Sequence, residues 1–270
     1  MHIESGARSD VGRVRKNNED NFRAEPSLEL FVLSDGMGGQ ASGEVASALA
    51  VETVVDHCRV ALESDGAEYY GEPTPGLSDR TNRLASAIRV ANSKIFESGL
   101  ADPARKGMGA TIVTCWITDR RLSLAHVGDS RAYLLRSGSF EQLTADHSLV
   151  ADLVRSGILT PQQAEVSEQQ SILTRALGTQ PSVEVDADEQ MLLAGDVVLL
   201  CSDGLSRTVT NPEIASTLET HPDPQKAADR LIELANENGG EDNVTAIVVR
   251  MTPEPTGIFA GLRRWWRGKS

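Results

Sequence analysis

The amino-acid sequence predicts a single layered domain of the α+β class. Strand-like segments, in which β-branched or apolar residues lie between turn residues, cluster in the middle of the chain. Helix-like segments with apolar residues at helical period occur in separated pairs. A parallel α/β sheet would instead need strands and helices that alternate along the chain. The observed order therefore favours sheets whose helices are kept apart from the strands.

Six segments are predicted to form strands: 28–35, 110–118, 121–128, 131–136, 196–203 and 243–251. The second and third are separated by Asp119 and Arg120 alone, which predicts a hairpin with a two-residue turn. This pair lacks the glycine that such turns prefer.

Four segments are predicted to form helices: 42–61, 78–98, 146–156 and 224–238. In the first, apolar side chains recur at close to the helical period: Val45, Leu49, Val51, Val54 and Val55. In the second, one face is lined by Leu84, Ile88, Ala91 and Ile95. Segment 63–76, between these two helices, is rich in glycine, proline and acids, which predicts an exposed loop.

Composition excludes several classes of function. The chain has 270 residues, of which 40% are hydrophobic and 24% charged, as in ordinary globular proteins. Its formal net charge of −13 predicts no nucleic-acid partner, because an acidic protein gains nothing from counterion release. The three cysteines, Cys58, Cys115 and Cys201, are widely spaced and indicate neither a zinc site nor a disulfide framework. Together these features predict a cytoplasmic protein.

Five acidic turns carry the candidate chemistry: 17–20 (NNED), 34–39 (SDGMGG), 128–131 (GDSR), 202–204 (SDG) and 239–243 (GGEDN). Asp35 and Asp203 each end an apolar strand and precede a glycine, which lets the backbone turn and present its carbonyl. Hard cations such as Mg²⁺ and Mn²⁺ take oxygen ligands of this kind. One Asp-Gly after a strand is typical of a plain turn, but five acidic turns suggest convergence on one site.

Eight short motifs occur in a fixed order: R-x-x-x-E-D (15–20), D-G-M-G-G (35–39), G-A-T (109–111), V-G-D-S-R (127–131), D-H-S (146–148), T-R-A-L-G (174–178), C-S-D-G-L (201–205) and D-N-V-T (242–245). In this set and order the chain resembles the metal-dependent protein phosphatase family (PPM, type 2C) in its bacterial form. The resemblance covers nearly the whole chain. It implies a four-layer α-β-β-α sandwich, in which two antiparallel sheets are flanked by helix pairs. It also implies a catalytic domain over 1–252, with a flap subdomain at about 145–182.

The resemblance further implies a site for two ions, Mn²⁺ or Mg²⁺, at one end of the sandwich. Carried over position by position, Asp35 bridges both ions and the carbonyl of Gly36 binds one of them. Asp203 and Asp242 bind the first ion. Two cations at such a site activate water near neutral pH and offset charge on phosphoryl oxygens.

Other residues are assigned around the ions by the same resemblance. Glu19 holds the second ion, largely through water. Asp20 is counted with the metal-site residues, but it lies just outside the direct ligands. Arg15 grips the substrate phosphate, as the planar guanidinium fork suits. The neighbouring Arg13 is the alternative. Asn243 orients the ligands around it or, alternatively, only forms a turn.

Three positions concern a weaker third ion and the proton donor. The resemblance assigns Asp129 to the third ion, together with Asp203 and the backbone carbonyl of Ser171. A hairpin-turn role is the alternative for Asp129. Animal members often have a histidine after the Asp-Gly, suspected of protonating the leaving group. Here the residue is Met37, which has no proton to donate.

The activity implied is hydrolysis of phosphoserine and phosphothreonine in proteins by direct attack of a water held by the two metals. Arg15 and Asp35 are the catalytic residues in this prediction, and phosphorylated proteins and a cognate serine/threonine kinase are the predicted partners. A regulatory phosphatase of an anti-sigma-antagonist switch is one alternative. A pseudophosphatase binding module is another, disfavoured because the three core aspartates are present.

The last segment, 253–270, is predicted to be a separate tail. From residue 256 it contains four basic residues and no acid, and its large apolar side chains fall roughly on one helical face: Ile258, Phe259, Leu262, Trp265 and Trp266. This combination predicts weak membrane or partner docking through 257–269. A frayed tail, or one folded back on the acidic surface, is the alternative.

Overall fold

The computed structural model describes residues 1–38, 42–63 and 69–253. The predicted docking tail lies outside the described residues apart from Pro253, as does Gly39 of the D-G-M-G-G motif.

The strands form two antiparallel sheets. They are β1 (His2–Asp10), β2 (Asp20–Glu25), β3 (Leu30–Met37), β4 (Gly109–Ala110), β5 (Ile112–Thr118), β6 (Arg121–Val127), β7 (Arg131–Arg136), β8 (Ser139–Gln142), β9 (Asp186–Met191), β10 (Val197–Cys201) and β11 (Val244–Thr252). One sheet has the order β1-β11-β10-β7-β8. The other has the order β2-β3-β5-β6-β9, with β4 paired to β3.

The helices are α1 (Ser42–Glu63), α2 (Asp79–Ala101), α3 (Leu149–Arg155), α4 (Pro161–Glu165), α5 (Asp203–Ser206), α6 (Asn211–Thr220) and α7 (Pro224–Glu237). Helices α1 and α2 pack together on the sheet that contains β3. Helix α7 packs on β1 and β11 of the other sheet, and α6 packs on α7. The outer layers are therefore helix pairs.

Alternation along the strands builds the layers. In β3, Leu30 and Val32 belong to the core beneath α1 and α2. Phe31 and Leu33 point the other way, into a core shared with the second sheet. Strand β10 does the same, since Leu199 packs towards the outer helices and Val198 and Leu200 pack between the sheets. The predicted four-layer α-β-β-α sandwich is thus confirmed.

The predicted hairpin is confirmed as well. Thr118 pairs with Arg121, which leaves Asp119 and Arg120 as the two turn residues. Both have positive φ, 48° and 69°, as a turn that matches the twist of the strands requires. The pair therefore adopts the conformation that glycine or asparagine usually supplies.

Four strands lie wholly outside the predicted segments, and all four are sheet edges: β1, β8, β2 and β9. Their side chains are largely half-buried or exposed, so no apolar run marks them. The central strands, which are buried on both faces, were the ones that hydrophobicity identified.

Residues 145–182, the predicted flap, lie between β8 and β9 and contain α3 and α4. The predicted helix over 146–156 begins at Leu149, because the Ser148 side chain accepts a hydrogen bond from the Ala151 N–H. None of the helices in the described ranges combines the length and the apolarity needed to cross a membrane.

Candidate metal centre

The predicted acidic residues converge at one end of the two sheets. Asp20 begins β2 and lies opposite Asp35 of β3 in the strand register. Asp203 begins α5 directly after β10, and Asp242 comes two residues before β11. Burial, followed by the charges of neighbouring aspartates, holds the pKa of Asp35 well above its usual range. The aspartates whose charges act on Asp35 are Asp20, Asp129, Asp203 and Asp242. These five residues therefore form one electrostatic cluster.

Asp20 joins the two sheets at this end. Its Oδ2 accepts hydrogen bonds from the hydroxyls of Ser202 (2.8 Å) and Thr245 (2.6 Å). Ser202 directly follows β10 and Thr245 lies in β11, and both strands belong to the sheet that does not contain β2. Its Oδ1 is buried and has no hydrogen-bond partner. Burial raises the pKa of Asp20 to about 7.

Asp35 is held by its backbone rather than by its carboxylate. Its N–H donates to Thr111 Oγ1 (3.1 Å), and its carbonyl accepts from the Thr111 N–H (2.8 Å). The Thr111 hydroxyl in turn contacts the hydroxyl of Ser130 at 2.7 Å. The carboxylate of Asp35 is therefore left for the centre of the cluster.

Asp203 supplies the second observation that calls for a cation. The charge of Asp203 is among those that raise the pKa of the Asp35 carboxyl, although both groups are acids. Burial, and then the charge of Asp242, raises the pKa of Asp203. Its Oδ1 is buried without a hydrogen-bond partner, which costs free energy unless another group pairs with it.

These features fit divalent ions. The donor set consists of oxygen atoms only, as Mg²⁺ and Mn²⁺ prefer. Two buried carboxylate oxygens, on Asp20 and Asp203, lack partners, and positive charge would relieve the mutual repulsion of the cluster. The residues present therefore fit the two ions that the resemblance implies.

Arg15 reaches the cluster with its guanidinium, whereas the contacts given for Arg13 are with Gly240. The Arg15 Nη2 donates to Asp242 Oδ2 at 2.8 Å, and the side chain stays half exposed. The charges of Asp242, Glu19 and Asp35 raise the pKa of Arg15 despite partial burial. Arg13 packs against Gly240 instead, and its N–H donates to the Gly240 carbonyl. Of the two arginines, Arg15 is the one whose guanidinium is paired with a carboxylate of the cluster.

Asn243 organises the loop that carries Glu19. Its Oδ1 accepts a hydrogen bond from the Glu19 N–H at 2.8 Å. Its Nδ2 donates to the carbonyls of Val11 (3.0 Å) and Asn17 (2.9 Å). These three bonds support the predicted orienting role and go beyond what a turn residue needs.

Two glycines of the acidic turns act differently from the expectation. Neither Gly36 nor Gly204 lies in the left-handed region. Each instead allows two backbone segments to touch. A Cβ on Gly36 would lie 2.1 Å from the Gly43 carbonyl oxygen, and one on Gly204 would lie 2.1 Å from the Asn243 carbonyl oxygen.

Asp129 lies beside a residue that the sequence analysis missed. It is buried, and its Oδ2 accepts from Arg207 Nη2 at 2.9 Å. The same nitrogen lies 3.2 Å from the carbonyl oxygen of Gln170. Ser171, predicted to contribute its carbonyl here, is exposed, and the preceding residue is the one that reaches Arg207. Burial raises the pKa of Asp129 to about 7.

Other missed residues had a signal in the sequence. Thr111, Ser202 and Thr245 lie inside the quoted motifs, but none of the three was assigned a functional role. Arg207 follows Asp203 by four residues, a spacing that pairs charges on a helix.

A second group of candidate ligands shares no residue with the acidic cluster. Within the described residues, ligand atoms of His126, His147 and Asp186 lie within 4.8 Å of one another. Arg175 already bonds to Asp186 and lies 3.1 Å from His147 Nε2, while His147 Nδ1 accepts from the Gly128 N–H. His126 Nε2 lies 3.0 Å from the Ala145 carbonyl oxygen, so each of the three side chains already has a protein partner.

The raised pKa of Asp20 predicts how pH affects the metal-free protein. Between the unfolded value of 3.8 and the folded value of about 7, the folded state keeps a proton that the unfolded state has released. Stability contributed by Asp20 is therefore lost as pH rises through this window. In EDTA, the melting temperature of Asp20→Asn should fall less between pH 5 and 8 than that of the wild type.

The measurement is thermal unfolding at several pH values, with and without Mn²⁺. Added Mn²⁺ should raise the wild-type melting temperature more at pH 8 than at pH 5, because the ligands must be deprotonated to bind. Equal pH slopes for the two proteins in EDTA would contradict the assigned pKa of Asp20.

Comparisons with known proteins agree with this geometry. The sequence model of a family described as Protein phosphatase 2C matches residues 13–247. The serine/threonine protein phosphatase PstP of Mycobacterium tuberculosis is 42% identical over 246 residues, 91% of this chain. The chain spans 44% of the length of that relative. Protein phosphatase PhpP of Streptococcus pneumoniae is 32% identical, with 93% of this chain and 99% of the relative covered.

Solved structures show the same similarity. A crystal structure of the Mycobacterium tuberculosis serine/threonine phosphatase PstP/Ppp has a TM-score of 0.83 and 40% identity, covering 94% of this chain and 100% of that one. The catalytic domain of a PstP protein in complex with two manganese ions has a TM-score of 0.79 and 38% identity, covering 93% and 99%.

Proposed function

This chain belongs to the protein phosphatase 2C family, whose sequence model matches residues 13–247, and from that premise we propose that it is a metal-dependent serine/threonine protein phosphatase. The observation that carries the proposal is the convergence of buried carboxylates with two unpartnered oxygens, on Asp20 and Asp203. Relatives over 30% identical across nearly the whole chain are named serine/threonine phosphatases.

Two divalent cations, when bound, supply activated water and offset phosphoryl charge. The chain contributes the groups that would hold them: Asp35 would be shared by both ions, Asp203 and Asp242 would bind the first, and Glu19 would bind the second. The Gly36 carbonyl is a further proposed ligand. Two manganese ions in the related PstP structure support the proposed number and kind of ions.

Several side chains position this centre. Ser202 and Thr245 fix Asp20 through hydrogen bonds to one carboxylate oxygen. Asn243 fixes the Glu19 backbone. These contacts hold the ligand loops of both sheets together, which is the preorganisation that electrostatic catalysis requires.

Arg15 is the proposed contact for the substrate phosphate. Its guanidinium lies against Asp242 and is half exposed, so it can face both the cluster and an incoming phosphate group. Phosphate binding by arginine is bidentate and charge-assisted. No proton is expected to move at Arg15, because a guanidinium stays charged.

Arg15→Ala should raise the KM for a phosphothreonine peptide by about 10- to 100-fold, the value of a charged hydrogen bond. Binding of two Mn²⁺ ions, measured by calorimetry, should persist. Arg13→Ala is the matched control and should leave KM within about twofold. A larger effect of Arg13→Ala than of Arg15→Ala would reverse the assignment.

The substrates are proposed to be phosphorylated proteins, and a cognate serine/threonine kinase is the proposed counterpart. The regulatory role in an anti-sigma-antagonist switch is not favoured by the relatives found. A binding module without activity is not favoured either, since every predicted carboxylate ligand is present. The direct test is release of phosphate from phosphothreonine peptide with Mn²⁺, compared with phosphotyrosine peptide. No release from the first would overturn the proposal.

A further inference from the structure

Arg207 bridges two carboxylates at the edge of the metal centre. It follows α5, and its Nη2 lies 2.7 Å from Asp203 Oδ2 and 2.9 Å from Asp129 Oδ2. The Gln170 carbonyl oxygen, 3.2 Å away, is a third acceptor for the same nitrogen. One cationic nitrogen thus sits between the two acids, in the manner of an oxygen-ligated ion.

The two carboxylate oxygens of Asp203 differ in their surroundings. Oδ2 is paired with the guanidinium, whereas Oδ1 is buried without a hydrogen-bond partner. Oδ1 is thereby the oxygen left for an ion shared with Asp35. Asp129 is also buried, and its Oδ2 is paired with the same guanidinium nitrogen at 2.9 Å.

We propose that Arg207 is a built-in cation that holds Asp129 and Asp203 together and keeps a third divalent ion from binding between them. This inference rests on the proposed function, since it concerns the same metal centre. An ion entering between these carboxylates would have to displace a group that stays charged at all working pH values. It would also meet the positive charge of the displaced side chain at short range.

Neighbouring arginines do not share this role. A cavity of about 760 Å³ between the flap and the residues after α5 is lined by Arg131, Arg155 and Arg207. Arg131 makes a bidentate pair with Asp146, with its Nη2 at 2.7 Å from Oδ2. Arg155 pairs with Asp152. Arg155→Gln therefore removes the same charge from the same cavity without touching the metal centre.

The experiment counts bound Mn²⁺ by titration calorimetry, with the spectrum of bound Mn²⁺ as a second readout. Wild type, Arg155→Gln and Asp129→Asn are each expected to bind two ions. Arg207→Gln and Arg207→Ala should bind a third, with an affinity at least about tenfold above that of any third site in the wild type. The double variant Arg207→Gln/Asp129→Asn should return to two ions. Thermal unfolding verifies that each protein is folded.

The outcomes separate the two claims. A third tight ion in the wild type, or an unchanged isotherm in both folded Arg207 variants, overturns the role of Arg207 and leaves the phosphatase intact. A third ion that persists in the double variant shows that the extra site is not at Asp129, which also overturns it. A wild type that binds no Mn²⁺ overturns the proposed function together with this inference.

Discussion

Asp35→Asn is expected to lower phosphopeptide hydrolysis by at least about a thousandfold, and EDTA should abolish the activity of the wild type. Asp35 lies at the centre of the acidic cluster, and its backbone is fixed by Thr111 while its carboxylate is not. An asparagine keeps the shape but removes the charge that two cations would share. The loss should therefore appear in kcat and in Mn²⁺ affinity together.

The measurements are steady-state kinetics on a phosphothreonine peptide and calorimetric Mn²⁺ titration. Asp56→Asn is a matched control, because Asp56 is an exposed acid that pairs with Arg59 on the surface of α1. It should leave rate and metal binding unchanged. Undiminished hydrolysis in excess EDTA would refute the dependence on metal, and a wild-type rate in Asp35→Asn would refute the central role of this carboxylate.

Gly36→Ala should be among the most damaging changes of one methyl group near the site. A Cβ there would lie 2.1 Å from the Gly43 carbonyl oxygen and 2.7 Å from the Glu19 carbonyl oxygen. Both neighbours are backbone, so relief requires α1 and the Glu19 loop to move. We expect a loss of about 3 kcal/mol in the free energy of unfolding, as in severe overpacking, and weaker Mn²⁺ binding.

Gly99→Ala is the control for this change. Gly99 lies in α2, and a Cβ there would be 3.3 Å from its nearest neighbour, the Arg105 carbonyl oxygen. Alanine also favours the helix by about 1 kcal/mol over glycine. Its melting temperature should stay close to that of the wild type, because this gain offsets a contact that must give by only a few tenths of an ångström. A Gly36→Ala protein with the same melting temperature and Mn²⁺ isotherm would show that the backbone contact is not tight.

The amino-acid sequence alone determined the fold class and the chemical character of the centre. Central strands such as β3 and β10 are buried on both faces, so their apolar runs were visible without a structure. Asp35 and Asp203 were visible for the same reason, since each follows such a run. Hydrophobic periodicity and the chemistry of a carboxylate are local properties, so short segments of the sequence are enough to predict them.

Only the tertiary structure decided which partners these residues have. The hydroxyls that hold Asp20 lie 182 and 225 positions away, and Arg207 meets Asp129 across 78 positions. The need for glycine at position 36 arises where β3 touches α1 and the Glu19 loop, not from its own backbone angles. The edge strands likewise carry no apolar run and exist because a neighbour pairs with them. Each of these depends on contacts between distant segments, which come together only when the two sheets pack.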